Sequence, residues 1–152
     1  MKLAEALVLR ADHQKRLEQL KARLVRNAKV QEGERPAEDP RDLLEQVDDA
    51  STALEGLIRR INHTNAVTRI EGTQTIVDLL ARRDVLSLRR AIYADLAQAA
   101  TVVQDRYSKS EVKFKSTVNV SETQKRADQL AKEYRELDTR LQAANWTTEV
   151  VE

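Results

Sequence analysis

Little in this sequence is equipped for covalent chemistry. It has two histidines, no cysteine and three widely spaced glycines. Without cysteine there is no thiolate nucleophile, no thiolate metal site and no disulfide framework. His13 and His63 both fall outside the Glu-x-x-His and His-x-x-x-His spacings that hold two metal ions inside a helical bundle. His13 reads as part of a polar layer that fixes helix register, and His63 as a capping residue near a helix end. Gly33, Gly56 and Gly72 stand too far apart to cradle a phosphate. No Gly-x-Ser-x-Gly elbow occurs. No metal or cofactor is expected from these residues.

Arginine offers more. It recurs in pairs, Arg59-Arg60, Arg82-Arg83 and Arg89-Arg90. Arg83 and Arg90 are seven residues apart, which puts them on one helical stripe with Ile76, Leu79, Leu86 and Tyr93. A guanidinium on a buried stripe must be paired. Asp138, beside the inner stripe of the fourth helix, is one candidate partner, and Asn62, Asn65 and Asp84 are others. These six residues (Asn62, Asn65, Arg83, Asp84, Arg90 and Asp138) form the candidate polar cluster. It could specify the fold, bridge subunits or bind an anion.

The elements that must hold these residues are mostly helices. Among 152 residues, charged side chains make up 34% and aromatics 3%, with two prolines. That composition suits long helices and argues against sandwiches and barrels. A first helix is expected within 1–28. Its stripe is Leu3, Ala6, Arg10, His13, Leu17, Leu20, Leu24 and Asn27. Residues 29–40 read as a loop. Asp39-Pro40 then provides an N-cap and a proline at the first helical position. A second helix is predicted over 40–64, with Leu43, Val47, Ala50, Leu54, Leu57, Ile58, Ile61 and Asn65 inward. Residues 1–30 carry eight Lys/Arg against three Asp/Glu, whereas residues 31–57 carry two against nine. Opposed charge supports an antiparallel hairpin of these two helices.

A third helix, predicted over 74–106 with Thr73 or Thr75 as its cap, is apolar on two faces. One carries Ile76, Leu79, Leu86, Tyr93, Ala97 and Ala100. The other carries Val85, Leu88, Ile92, Leu96, Ala99 and Val103, and is the candidate oligomer interface, since both faces need cover. Residues 111–120 alternate, with Val112, Phe114, Val118 and Val120 on one side, and predict a strand. The β-branched stretch 66–71 is its expected partner, and 147–151 is a candidate third strand. Ser121 to Gln124 reads as a capping box. It opens a fourth helix, 122–144, with Ala127, Leu130, Tyr134, Leu137, Leu141 and Ala144 inward. The whole predicts a mainly α, single helical domain, 1–152: four long helices in an antiparallel bundle or coiled-coil arrangement with a small β ribbon.

A net charge of +1 selects no polyanion. The basic first helix (Lys15, Lys21, Arg23, Arg26, Lys29) lacks interleaved aromatics, and this disfavours nucleic acid as a partner. Glu5 breaks the apolar opening, so no signal peptide is read there. No run approaches the ~20 apolar residues of a membrane helix. A cytoplasmic location is the expectation, with a membrane not expected as a partner.

The opening Met-Lys-Leu-Ala-Glu-Ala-Leu-Val-Leu-Arg-Ala-Asp, the loop Asn27 to Pro40, the run Ile61-Asn62-His63-Thr64-Asn65 and the stretch Glu136 to Trp146 resemble a bacterial, mainly actinobacterial family of uncharacterised proteins. Its members are often labelled septicolysin. The resemblance covers nearly the whole chain and brings no catalytic residue with it. The label implies a pore-forming cytolysin. Against that, the chain has a single tryptophan, Trp146, and the predicted strand carries Lys113 and Lys115 on its other face.

These features lead to one expectation: a non-enzymatic, homo-oligomeric helical scaffold or interaction protein. The alternatives are a small-ligand or anion-binding protein or enzyme using the buried Arg/Asp/Asn cluster, and a pore-forming cytolysin.

Overall fold

A computed structural model describes residues 1–102 and 112–152. Four helices dominate: α1 (Leu3–Arg26), α2 (Pro40–Val67), α3 (Ile76–Ala100) and α4 (Val120–Thr147). Strands β1 (Arg69–Glu71) and β2 (Gln74–Thr75) form a two-stranded antiparallel ribbon. The fold is mainly α, as composition and periodicity predict. The described residues group into two compact units. The first gathers Met1–Thr75 and Ala143–Glu152, the second Ile76–Gln142.

In the first unit, α1 packs along α2. Every residue of the two predicted stripes is buried or half-buried, with Leu3, Ala6, Leu20, Leu43, Ala50, Leu57 and Ile61 among the fully buried. Each fully buried Leu or Ile is worth roughly 1.5–3 kcal/mol, so this seam supplies most of the unit's stability. The helix ends are closed by side chains. Asp39 accepts from the Arg41 N–H at 2.9 Å, with Pro40 in the first helical position. At the other end of the loop, Asn27 donates to the Arg23 carbonyl at 2.9 Å and accepts from the Glu38 N–H at 3.1 Å. Arg23 and Glu38 add an ion pair across the same loop. The C-terminal end of α1 and the start of α2 are thereby tied together, as an antiparallel hairpin requires.

The chain's last residues close the opposite end. The Leu3 N–H donates to the Thr148 carbonyl and the Val150 N–H to the Met1 carbonyl, both at 2.9 Å. Residues 147–151 thus make a single bridge, Lys2 with Glu149, rather than a strand. Thr64 is fully buried; its hydroxyl donates to the Arg60 carbonyl at 2.8 Å and accepts from the Val151 N–H at 3.0 Å.

The ribbon differs from its predicted form. Ala66 and Val67 remain helical, and β1 pairs with β2 instead of with 111–120. Gly72 has φ +54° while Thr73 keeps a negative φ, the combination a type II′ turn provides. A two-residue reversal closes at less entropic cost than a pairing across some forty residues. Residues 112–119 form no strand, and Val112 and Phe114 are exposed; Glu111 lies outside the described residues. Alternation alone makes no strand where no partner edge is at hand.

In the second unit, one face of α3 is buried through Ile76, Leu79, Leu86 and Ala97, and α4 buries Ala127, Leu130, Leu137 and Leu141. α3 stops at Ala100, short of the predicted 106, and Thr101 caps back by donating to the Ala97 carbonyl at 2.8 Å. Residues 103–106 lie outside the described residues. α4 begins two residues early. Its cap is Asn119, whose side chain accepts from the Glu122 N–H at 3.0 Å, in place of the predicted Ser121.

Candidate functional site

Three features combine polar chemistry or unsatisfied surface with a defined place in the fold. The first is the Arg83 cluster in the second unit. Arg83 donates to Asp138 at 2.8 Å and lies 3.8 Å from Asp84. Arg83 is seventeen residues before the end of α3 and Asp138 eighteen after the start of α4. That near-symmetry is what an antiparallel helix pair produces. The Arg83 and Asp138 side chains keep 25% and 35% of their exposure, so the pair is only partly dehydrated. A half-wet pair with a single close hydrogen bond fits structural pinning better than chemistry.

Of the other predicted members, Arg90 is exposed on α3. Asn62 and Asn65 belong to α2 in the first unit, Asn62 exposed and Asn65 half-buried. The Asn65 Oδ1 is buried without a hydrogen-bond partner among the described residues.

The second feature was not read from the sequence. Gly56, Arg59, Arg60 and His63 follow one another at steps of three, one and three, and so share a face of α2. With Val151 and Glu152 they line an open cleft of about 490 Å³. Arg60 donates to the Val151 carbonyl at 3.4 Å, which steadies one wall. Gly56 leaves open space where a side chain would stand. The signal available in the sequence was the Arg59-Arg60 pair one turn from His63. His63 itself does not cap the helix, which continues to Val67.

The third feature is the outer face of α3. Val85, Leu88, Ile92 and Leu96 are 53%, 66%, 65% and 41% exposed, and Ala99 is exposed with them. Val103 lies outside the described residues. Val77, 46% exposed, and Ala81 extend the row toward the start of the helix. Exposed helices commonly carry such residues singly; here seven stand in one contiguous row.

Electrostatic tuning sits elsewhere. Hydrogen bonding and charge from Arg23 hold the Glu38 carboxyl below the ordinary value. Lys2 and the Met1 amino group do the same for Glu149, at 2.6 Å and 3.0 Å. Both are surface clasps between segments. Among the described residues no three His, Asp or Glu side chains converge on a point where a metal could sit. No described helix is long and apolar enough to cross a membrane.

The arrangement has a close structural counterpart. A crystal structure of a functionally unknown conserved protein from Corynebacterium diphtheriae superposes with a TM-score of 0.92 at 46% sequence identity, covering 99% of each chain. No curated protein matches. That relative is actinobacterial, in agreement with the mainly actinobacterial family that the sequence resembles. Residues 10–150 match a family of unknown function, DUF6847, and this chain belongs to that family.

Proposed function

We propose that this protein is a non-enzymatic scaffold that works by self-association, with the outer row of α3 as the contact. The observation that supports this is the row itself. The opposite face of α3 is buried, while Val85, Leu88 and Ile92 stay more than half exposed in one copy and Leu96 and Ala99 border a cleft with Phe114 to Thr117. Burying such a row is favourable at roughly 25 cal/mol per Å² of apolar surface. Light scattering on size-exclusion eluates tests it. A mass of two or more chains is expected, and a monomer at all concentrations up to ~100 μM, an affinity range weaker than most specific assemblies, overturns it.

A second reading, an anion-binding protein, rests on the cleft of Arg59, Arg60 and His63. Guanidinium groups suit planar carboxylates and phosphates, whereas Arg83 is already taken by Asp138. Calorimetric titration with inorganic phosphate, on wild type and on Arg59→Ala, separates this reading from the first. Heat that disappears in the variant favours it, and no heat in either removes it. Pore formation, which the septicolysin label implies, is the remaining reading. Dye-filled liposomes left intact by the purified protein exclude it.

A further inference from the structure

The spacing and charges along α3 say how two copies would meet. The exposed row Val77, Ala81, Val85, Leu88, Ile92, Leu96, Ala99 advances by steps of four, four, three, four, four and three. That is an eleven-residue repeat, close to the natural period of a straight helix, so the row keeps to one face over six turns. Its central stretch also fits heptads. Ala81, Val85, Leu88 and Ile92 fall at successive d, a, d and a places. β-branched residues at a with leucine at d favour two parallel strands over other assemblies.

The flanks of the row agree. Asp84 occupies the g place before Val85, and Arg89 the e place after Leu88. In a parallel pair, g of one helix faces the e place five residues further on in the other. Asp84 to Arg89 is that interval. A twofold axis makes the exchange twice, Asp84 of each copy against Arg89 of its mate. Antiparallel pairing would instead set e against e, placing Arg82 and Arg89 of one copy near the same arginines of the other. Neither flanking group is consumed within its own copy. Asp84 lies 3.8 Å from Arg83 with 74% of its side-chain exposure left. Arg89 is exposed at the edge of a shallow cleft of about 400 Å³ shared with Arg82 and Glu133. Asp95, at the next d place, ends the closely packed stretch.

Building on the self-association reading, we infer that the partner of the α3 row is the α3 row of a second copy, in parallel and in register. The assembly is a two-stranded dimer locked by reciprocal Asp84–Arg89 pairs.

The chain contains no cysteine, so single thiols report geometry without background. Ala81→Cys and Leu96→Cys are made separately, oxidised alone and mixed, and run on non-reducing gels beside light scattering. The expected result is a covalent dimer of Ala81→Cys with itself. Cross-linking only in the mixture means antiparallel pairing, because residue 81 of two such copies would lie about 22 Å apart. That overturns the parallel register and leaves self-association standing. A particle of dimer mass with no cross-link also overturns it, as does a mass above two chains. A monomer overturns both readings at once. Charge exchange gives the second arm. Arg89→Asp weakens the dimer by about tenfold, and Asp84→Arg with Arg89→Asp restores it to within about threefold. A double variant as weak as the single one removes the reciprocal pair.

Discussion

Thr64 and Arg83 show how single side chains hold separate segments of this chain together. Thr64 is the one buried polar residue among those described, and its hydroxyl is both donor and acceptor. Replacing it by Val keeps the volume but strands the Val151 N–H. Thr64→Val is therefore expected to cost about 1–2 kcal/mol, read as a lower urea midpoint with an unchanged slope. Arg83 and Asp138 are a partly exposed pair, and such pairs contribute little net. Arg83→Ala should cost about 1 kcal/mol, mostly by leaving the Asp138 carboxylate without its donor. Replacing both, as Arg83→Met with Asp138→Leu, should recover most of that loss. A double-mutant cycle by chemical denaturation measures the coupling. Had Arg83 been a ligand residue, its loss would leave stability unchanged. Thr64 could not be singled out from the sequence, because its partner Val151 is 87 residues away.

The helices were legible and the strands were not, for a physical reason. A stripe such as Leu43, Val47, Ala50, Leu54, Leu57 and Ile61 repeats over five turns and admits one solution. The alternation at 112–120 repeats over nine residues and still needs a partner edge that the sequence cannot name. Local turn chemistry at Gly72 took β1 first. Caps fell between these extremes. Asp39-Pro40 was plain, but Asn119 outcompeted Ser121 because it stands one residue before Val120, which joins the helix. Stripe positions brought Arg83 and Asp138 into one candidate cluster without choosing Asp138 over Asn62, Asn65 or Asp84, whereas the Gly56–His63 face was not visible at all, because it lies outward on a helix whose inward face dominated the pattern. The clasps between elements respond to acid in a defined direction. Glu38 and Glu149 have native pKa values below the ordinary 4.5. Their contribution is complete above that value and is lost as pH falls through the lowered native one. Acid should therefore loosen the tail before the helices melt. Lower amide protection factors at Leu3 and Val150 below pH 4.5, measured against the intrinsic exchange rate at each pH and with α2 still protected, are the expected signature. Unchanged protection there would show that the backbone bridge holds without the Glu149 clasp.

At the scale of the whole molecule, the two faces of α3 assign different tasks to one helix. Leu79 and Leu86 are 0% and 4% exposed, while Leu88 and Ile92 on the other face are 66% and 65% exposed. A charge placed on the outer face meets water in a single copy, and loses that water only when copies pair. Leu88→Lys with Ile92→Lys should thus leave far-UV circular dichroism unchanged. It should also hold the stability of a single copy to within about 0.5 kcal/mol, as surface substitutions usually do. What changes is the response to concentration. Association that favours the folded state makes the wild-type melting temperature climb with protein concentration. In the doubly charged variant that climb should vanish and the particle should have the mass of one chain. If wild type and variant instead melt at one temperature across a hundredfold concentration range, the outer row covers no second copy. If the variant loses its helical signal altogether, the row belongs to the fold of one copy, and the separation between the two faces of α3 is wrong.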